Sequence, residues 1–296
     1  RVVDPRLASG CEMASSVMSS RPPAANGWKR ELPPSPLHAV FAALIQRLPS
    51  ERFPDCDDLN GLRGSEHRNS AGRPICFVAA PPPASRPLPP VRDDYEERIF
   101  HSGEILTRAG NWHDLFNALA WLALPHTKRE LNQAHRKHRL HEDMATRGRV
   151  RDALTLFDES GVIIASADVS LTQLFRDFQW KALFWKRRED VLRLMRFVVS
   201  GHALHEQMLA AYPGITGKAL VLECDEAFLQ LPLSRQLSQL DERTADLIAG
   251  GSVGSSRALA PLPLLGIPGW DTANAQSSYY DNTAVFRPGR RARQPS

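Results

Sequence analysis

The stretch Asn-Trp-His-Asp-Leu-Phe-Asn-Ala-Leu-Ala-Trp-Leu-Ala-Leu, residues 111–124, decides the fold, because it holds the longest apolar run of the chain. On a helical wheel one face is entirely apolar and consists of Trp112, Leu115, Phe116, Leu119, Leu122 and Ala123. The other face carries His113, Asp114 and Asn117, with further apolar residues between them. Since both faces carry apolar residues, the sequence predicts a helix that is covered by protein on both sides. Its polar side chains then need buried partners.

Other segments have helical periodicity, which predicts helices over 37–48, 171–185, 188–211 and 234–249. Thr127 is followed three residues later by Glu130, a spacing typical of a capping box. We therefore expect a further helix to begin at Thr127.

Three segments are rich in β-branched and apolar residues and predict strands. Two of them are 75–79 and 218–224. The third, 151–166, reads as a β-hairpin in which Ala-Leu-Thr-Leu-Phe and Val-Ile-Ile-Ala flank a turn at 158–161. The sequence thus predicts an α+β fold: a helix-dominated single domain with a small, mainly antiparallel sheet.

The distribution of residue types predicts three regions. Residues 1–35 mix Ser, Pro, Ala and Arg without a hydrophobic period, which indicates a disordered N-terminal extension. Residues 36–286 are expected to form one globular domain, and residues 287–296 an Arg-rich C-terminal tail. Because the chain begins with Arg1, we expect translation to start at Met13 or Met18.

Composition limits the class of protein. A hydrophobic content of 42% excludes disorder of the whole chain, and a net charge of only +4 excludes a polycation that coats nucleic acid by bulk charge. The four cysteines form no Cys-x-x-Cys pair, and no apolar run reaches the length of a membrane helix. We expect a soluble cytoplasmic protein with reduced thiols and no membrane partner.

Five segments carry a family resemblance: Asn-Trp-His-Asp-Leu-Phe-Asn-Ala-Leu from Asn111, Arg-Asp-Ala-Leu-Thr from Arg151, Gly-Ile-Thr-Gly-Lys-Ala from Gly214, Gly-Ile-Pro-Gly-Trp from Gly266, and Phe-Arg-Pro-Gly-Arg-Arg from Phe286. They resemble a bacterial family known as domain of unknown function 3025. The resemblance extends from the first predicted helix to the Arg-rich end, and so implies one domain. It implies no activity, substrate or cofactor, and the cofactor stays unknown.

His113, Asp114 and Asn117 are candidate catalytic residues, the first two as general base or ligand and Asn117 as an orienting group. A stripe of imidazoles follows on the next predicted helix: His135, His138 and His141. Imidazole ligates zinc, iron and manganese and titrates near neutrality, so these residues predict a metal-dependent hydrolase with His135 and His138 as metal ligands. The competing interpretation is that His113 and Asp114 have partners in the core and that the stripe is a solvated face.

His202 and His205 are a second histidine pair, three residues apart on the apolar face of a predicted helix. This spacing allows two imidazoles to share an ion. We favour the alternative, in which both are core histidines bonded to backbone carbonyls and Glu206 points away from them.

A basic rim at Lys186, Arg187 and Arg188 follows an aromatic segment, a combination that stacks bases and neutralises phosphates. Lys218 follows two glycines, but Ala219 replaces the Ser or Thr of a nucleotide-binding loop, so Lys218 is expected to meet an anion or to pair with a carboxylate. The leading hypothesis is therefore binding of a phosphate-bearing ligand or nucleic acid through this rim. The metal-dependent hydrolase is the first alternative, and a structural protein that self-associates through its C-terminal tail is the second.

Overall fold

The computed structural model describes residues 27–33, 35–81, 93–139, 144–255 and 258–289. The α-helices are α1 (Ala42–Arg47), α2 (Cys56–Asn60), α3 (Asp93–Ser102), α4 (Trp112–Ala123), α5 (Pro125–Arg139), α6 (Met144–Ser160), α7 (Val169–Arg176), α8 (Arg188–Leu194), α9 (His202–Gln207), α10 (Glu226–Leu229) and α11 (Leu233–Ala249). The strands are β1 (Cys76–Ala79), β2 (Glu104–Thr107), β3 (Gly161–Ser166), β4 (Met195–Val199), β5 (Thr216–Glu223) and β6 (Ala260–Pro263). The predicted helix-dominated α+β class is confirmed. Within the described ranges, no helix has both the length and the apolar character needed to cross a bilayer.

The described residues form two small sheets. The larger has the strand order β4-β3-β5-β6, in which β3 pairs with β5 in parallel and the two outer pairs are antiparallel. The predicted strand at 75–79 corresponds to β1, which does not join this sheet but forms a separate parallel pair with β2.

Strand β3 divides the core into two halves. All six of its residues are buried. Ile163 and Ala165 point into a first core with α4, whereas Val162 and Ile164 point into a second core with α7 and the segment 264–286. A strand that is apolar on both faces requires cover on both faces, and the helices supply it here.

Helix α4 has the environment that its sequence predicts. Asn111 caps its first turn by accepting a hydrogen bond from the Asp114 amide (2.9 Å). Leu119 on one side and Trp121 on the other are both buried. The prediction of a helix covered on both sides is confirmed.

The predicted hairpin over 151–166 is wrong, because residues up to Ser160 belong to α6 and only 161–166 form a strand. Ala153, Leu154 and Phe157 are buried at helical spacing. The Asp158-Glu-Ser segment therefore ends a helix and is not a hairpin turn.

The predicted long helix over 188–211 is also wrong. Helix α8 ends at Leu194, and the next five residues form β4, which pairs with β3. Pairing with a strand distant in sequence outweighs the local helical pattern. The predicted helix over 171–185 is likewise interrupted, since α7 ends at Arg176 and Phe178 adopts a φ of 57°.

The expected capping box at Thr127 does not form. Helix α5 begins at Pro125, and the amides of His126 and Thr127 donate to the carboxylate of Asp241 on α11 (2.9 and 2.7 Å). Tertiary contact with α11 thus replaces the predicted contact with Glu130.

The core includes a residue that precedes the predicted domain boundary at residue 36. Trp28 is fully buried, and its indole N–H donates to the Pro49 carbonyl (2.8 Å). At the other end, the Trp180 indole donates to the Arg287 carbonyl (2.9 Å). Both ends of the described chain are thereby fixed to the domain.

Candidate active site

A cavity of about 540 Å³ opens between α3, α4, α5, α6 and the start of α9. It is lined by four of the predicted site residues, namely His113, Asp114, Asn117 and His135. The structure thus brings the predicted polar residues of α4 together with one imidazole of α5.

His113 lies in the first turn of α4 and is partly exposed. Its Nδ1 is 3.0 Å from Oε2 of Glu206, and its Nε2 is 3.1 Å from Nε2 of His202. Both partners belong to α9, where a spacing of four residues places them on one face. The imidazole of His113 is therefore held at both nitrogens by a single short helix.

The start of α9 is held against the end of α6 by close backbone packing. Ser200 and Gly201 both donate to the Gly161 carbonyl (3.0 and 2.9 Å). A Cβ on Gly201 would lie 2.3 Å from the Gly161 nitrogen, so only glycine fits. This approach places His202 beside Asp158 of α6.

The contacts of the histidine pair limit where its protons lie. The Glu206 carboxylate accepts from Nδ1 of His113, so the Nε2 of neutral His113 carries a lone pair. Burial lowers the pKa of His202, Asp158 opposes this shift, and Lys128 and His113 add to it, so that the pKa is about 3 and His202 is neutral near pH 7. Beside a neutral His113, Nε2 of His202 is then the donor of their hydrogen bond. Its buried Nδ1 then has no hydrogen-bond partner among the described residues and lies 3.9 Å from Oδ2 of Asp158.

A chain of polar contacts continues from Asp158. Lys128 donates to Asp158 (2.5 Å) and to Asn117 (2.9 Å), and Asn117 donates to the Tyr95 hydroxyl (2.8 Å). Burial alone would raise the pKa of Asp158, but the Lys128 ammonium and neighbouring imidazoles outweigh burial and hold this pKa at about 2. A buried ion pair therefore forms the floor of the cavity.

Asp114 is not a partner of His113. Its carboxylate accepts from the backbone amide, Nε and Nη2 of Arg108 (2.7, 2.8 and 2.7 Å). The predicted catalytic carboxylate therefore holds Arg108, which lines the cavity, in a fixed position.

Glu96 is a second perturbed group in the cavity wall. Burial raises its pKa to about 7, although Asn132 donates to its carboxylate (2.5 Å). Burial also raises the pKa of the neighbouring Tyr95 above its usual range. Perturbed pKa values clustered around one cavity are typical of functional sites.

The two predicted metal ligands, His135 and His138, do not both line the cavity. His135 lines the cavity, His138 lies one turn further along α5, and His141 falls outside the described residues. Across the described ranges, no three His, Cys, Asp or Glu side chains are placed to hold a metal ion. The assignment of His135 and His138 as metal ligands stays a prediction.

The predicted basic rim is largely engaged within the protein. Lys186 is exposed, but Arg187 forms ion pairs with Asp190 (2.5 Å) and Asp168 (3.1 Å). Arg188 donates to the backbone and side-chain oxygens of Asn274 (3.1 and 3.2 Å). Two of the three rim cations thus have structural partners.

Lys218 lies in β5, in a strand and not in a loop. The preceding Gly217 packs so closely on β3 that a Cβ would lie 2.4 Å from Val162 Cγ2. Sheet packing therefore accounts for this glycine, in agreement with the rejection of a nucleotide-binding loop.

His205 is a core histidine, as predicted. Its Nε2 lies 3.2 Å from the Val199 carbonyl, and its Nδ1 lies 3.0 Å from Nδ1 of His38. For His202 the prediction is correct in part, because the side chain is buried but its Nε2 contacts His113. It is wrong for Glu206, which faces the site.

The sequence reasoning missed Glu206, His202, Asp158 and Lys128. One signal was available, because His202 and Glu206 are four residues apart and share a helix face. No local signal joins them to His113, since α4 and α9 meet only in the tertiary structure.

Comparison with known proteins gave one match. A family model described as a protein of unknown function, DUF3025, matches residues 84–290. No curated protein and no solved structure matches the chain.

Proposed function

Because the chain belongs to the DUF3025 family of proteins of unknown function, we infer its reaction from the site. We propose that the protein is a hydrolase in which His113 acts as general base. One observation carries the proposal: Glu206, His113 and His202 form a hydrogen-bonded row at the wall of the cavity.

The pairing of His113 with Glu206 supports a role in proton transfer. A carboxylate on Nδ1 fixes the ring orientation and stabilises the positive charge that forms when Nε2 takes a proton. His113 is also accessible, with 34% of its side chain exposed. In the proposed step a water molecule takes the place of the His202 N–H at His113 Nε2, which accepts a proton from that water as the water oxygen attacks the substrate; the bond to the leaving group then breaks, and His113 returns the proton to the leaving group.

His202 occupies the nitrogen of His113 that would act as the base. In the resting structure Nε2 of His113 lies 3.1 Å from Nε2 of His202. An imidazole nitrogen has one lone pair, so His202 has to release this contact before a water molecule can bind there, and it keeps its own proton on Nε2.

The cavity wall favours a substrate without negative charge. Arg108 and Arg151 line it and Lys128 lies beneath Asp158, against five acidic residues: Glu96, whose pKa is about 7, Asp114, Asp152, Asp158 and Glu159. A surplus of carboxylates repels anions. We infer that the substrate is a small neutral or cationic polar molecule.

The test is turnover of a panel of chromogenic esters, amides and glycosides with neutral, cationic and anionic members. General acid–base catalysis contributes about 10²–10⁴-fold, so we expect His113→Asn to lower turnover by at least about 100-fold. Glu206→Gln keeps the hydrogen bond but not the charge, so its effect should be smaller.

His101→Asn is the matched control, because His101 also contacts a glutamate, Glu97 (3.1 Å), but is 68% exposed and lies outside the cavity lining. Its turnover should equal that of the wild type. The proposal is contradicted by no turnover across the panel, by unchanged turnover in His113→Asn, or by a preference for anionic substrates.

A further inference from the structure

A second cavity, of about 1190 Å³, shares no lining residue with the first. Its walls come from β5, β6, the end of α7 and the segment 284–289. Its aromatic lining, including Phe175 and Trp180, belongs to the second core, whereas Leu220 and Leu259 belong to the first.

The charge of this cavity is of one sign. Arg176, Lys218 and Arg287 line it, and none of the described lining residues is Asp or Glu. Within the described structure, neither Arg176 nor Lys218 forms an ion pair or a side-chain hydrogen bond, and Arg287 donates from Nε only to the Ala284 carbonyl (3.1 Å). Three cations without carboxylates repel one another and attract an anion.

Aromatic rings lie beside these cations. Phe178 is partly exposed and packs edge-on against Trp180, with 5.5 Å between ring centroids. Its φ of 57° is unusual for a bulky side chain, and such conformations concentrate at functional sites. The Trp180 indole also holds Arg287 next to the rings through the Arg287 carbonyl (2.9 Å).

We propose that this cavity binds a nucleoside phosphate, with the phosphate on Lys218, Arg176 and Arg287 and the base against Phe178. Cations next to a partly exposed ring are the combination that recognises a phosphate and a base together. The phosphate contact requires no glycine-rich loop, since Lys218 presents a point charge from a strand. The volume exceeds the roughly 300–1,000 Å³ of ordinary ligand sites, so either a free nucleotide or a single-stranded nucleic acid fits.

The test is titration calorimetry of the full chain with AMP, inorganic phosphate and a single-stranded dT oligonucleotide at two salt concentrations. A charge-assisted contact is worth about tenfold in affinity, so Lys218→Gln and Arg176→Gln should each weaken AMP binding about tenfold. Lys186→Gln is the matched control, because Lys186 is an exposed cation outside the cavity, and it should bind as the wild type does.

Phe178→Gly separates the two halves of the proposal. Glycine accepts the positive φ and removes the ring, so AMP binding should weaken about tenfold while phosphate binding is unchanged. Stronger binding of the oligonucleotide than of AMP identifies nucleic acid as the source of the ligand, and equal or weaker binding identifies free nucleotide.

Three results would overturn the proposal: no binding of either AMP or the oligonucleotide, AMP binding no tighter than that of phosphate, or equal losses in Lys186→Gln and Lys218→Gln. Thermal unfolding of each variant shows whether a loss of binding reflects a loss of fold.

Discussion

Glu96 shows how a single buried carboxyl makes stability depend on pH. Its folded pKa of about 7 exceeds the unfolded value of 4.5, so the folded protein retains a proton that the unfolded chain has lost. Stability from this group is complete below pH 4.5 and is lost as the pH rises to 7. The difference between the folded and unfolded pKa corresponds to about 3 kcal/mol in the free energy of unfolding.

We therefore expect Glu96→Gln to remove this loss, because glutamine has no proton to release and still accepts from Asn132. Urea unfolding at pH 4.5 and pH 7.5 measures the effect: the wild type should lose about 3 kcal/mol relative to the variant. Glu189→Gln, on the exposed surface, is the control. Equal changes in wild type and Glu96→Gln would show that the carboxyl is already ionised in the folded protein.

The candidate site is only partly predictable at the residue scale. His113 and Asn117 can be identified because polar residues on an otherwise apolar helix need partners. Asp158 is missed because its segment resembles a turn, although it ends α6. Glu206 is missed because the sequence predicts one continuous helix over 188–211, and on that helix Glu206 points away from the histidines. In the structure α9 is a separate short helix after β4.

At the scale of elements, strong local patterns are sufficient, but tertiary pairing cannot be foreseen from them. Helix α4, β5 and α11 follow from periodicity over their own length. β4 has an equally helical pattern, but its pairing with β3 decides its conformation. Such pairing depends on residues about thirty positions away, which a local window does not contain.

The junction of α6, β3 and α9 makes a prediction for Gly201→Ala. The added Cβ would lie 2.3 Å from the Gly161 nitrogen and 2.6 Å from the Glu159 carbonyl, and neither backbone atom moves freely. We expect a loss of about 1–3 kcal/mol in unfolding free energy. We also expect a loss of turnover, because α9 holds the imidazole of His113 through Glu206 and His202.

Gly148→Ala is the contrasting variant for the same measurement. Gly148 lies within α6, and a methyl group added there would meet no atom of the described residues within 4 Å apart from its chain neighbours and the backbone of its own helix. Alanine at this position should stabilise the protein by up to about 1 kcal/mol. If both variants have the same stability, close packing does not hold the start of α9.

At the scale of the whole molecule, a net charge of +4 conceals two cavities of opposite character. The first has a surplus of acidic residues, and the charged residues among the described lining of the second are all cations. They lie in different parts of the fold, which β3 divides into two cores. The composition gives only the net charge of the whole chain and therefore predicts neither the acidic cavity nor the basic one.

The fold as a whole is expected to be sensitive to mild acid. Burial lowers the pKa of His38 to about 4, that of His202 to about 3, and that of His205 well below its ordinary value. The unfolded chain gains these protons from pH 6.5 downward, so stability is complete above pH 6.5 and is lost as the pH falls towards 4. Glu96 acts in the opposite direction, but three histidines outweigh one carboxyl.

Urea unfolding between pH 7 and pH 4.5 tests this sensitivity. His38→Phe should lose less stability over the range, because about 3 kcal/mol of the wild-type loss between pH 6.5 and 4 comes from His38. His101→Gln, at an exposed position, should behave as the wild type does. A wild type whose stability is constant over this range would contradict the prediction.

The central place of β3 also matters while the chain is being synthesised. A ribosome delivers β3 first, and its parallel partner β5 begins about fifty residues after Ser166. At a translation rate of about 5–20 residues per second, β5 begins to be synthesised roughly 3–10 s after β3 is complete. We expect one edge of β3 to lack its partner during this interval, so that a pause in translation there favours capture by chaperones or aggregation over folding.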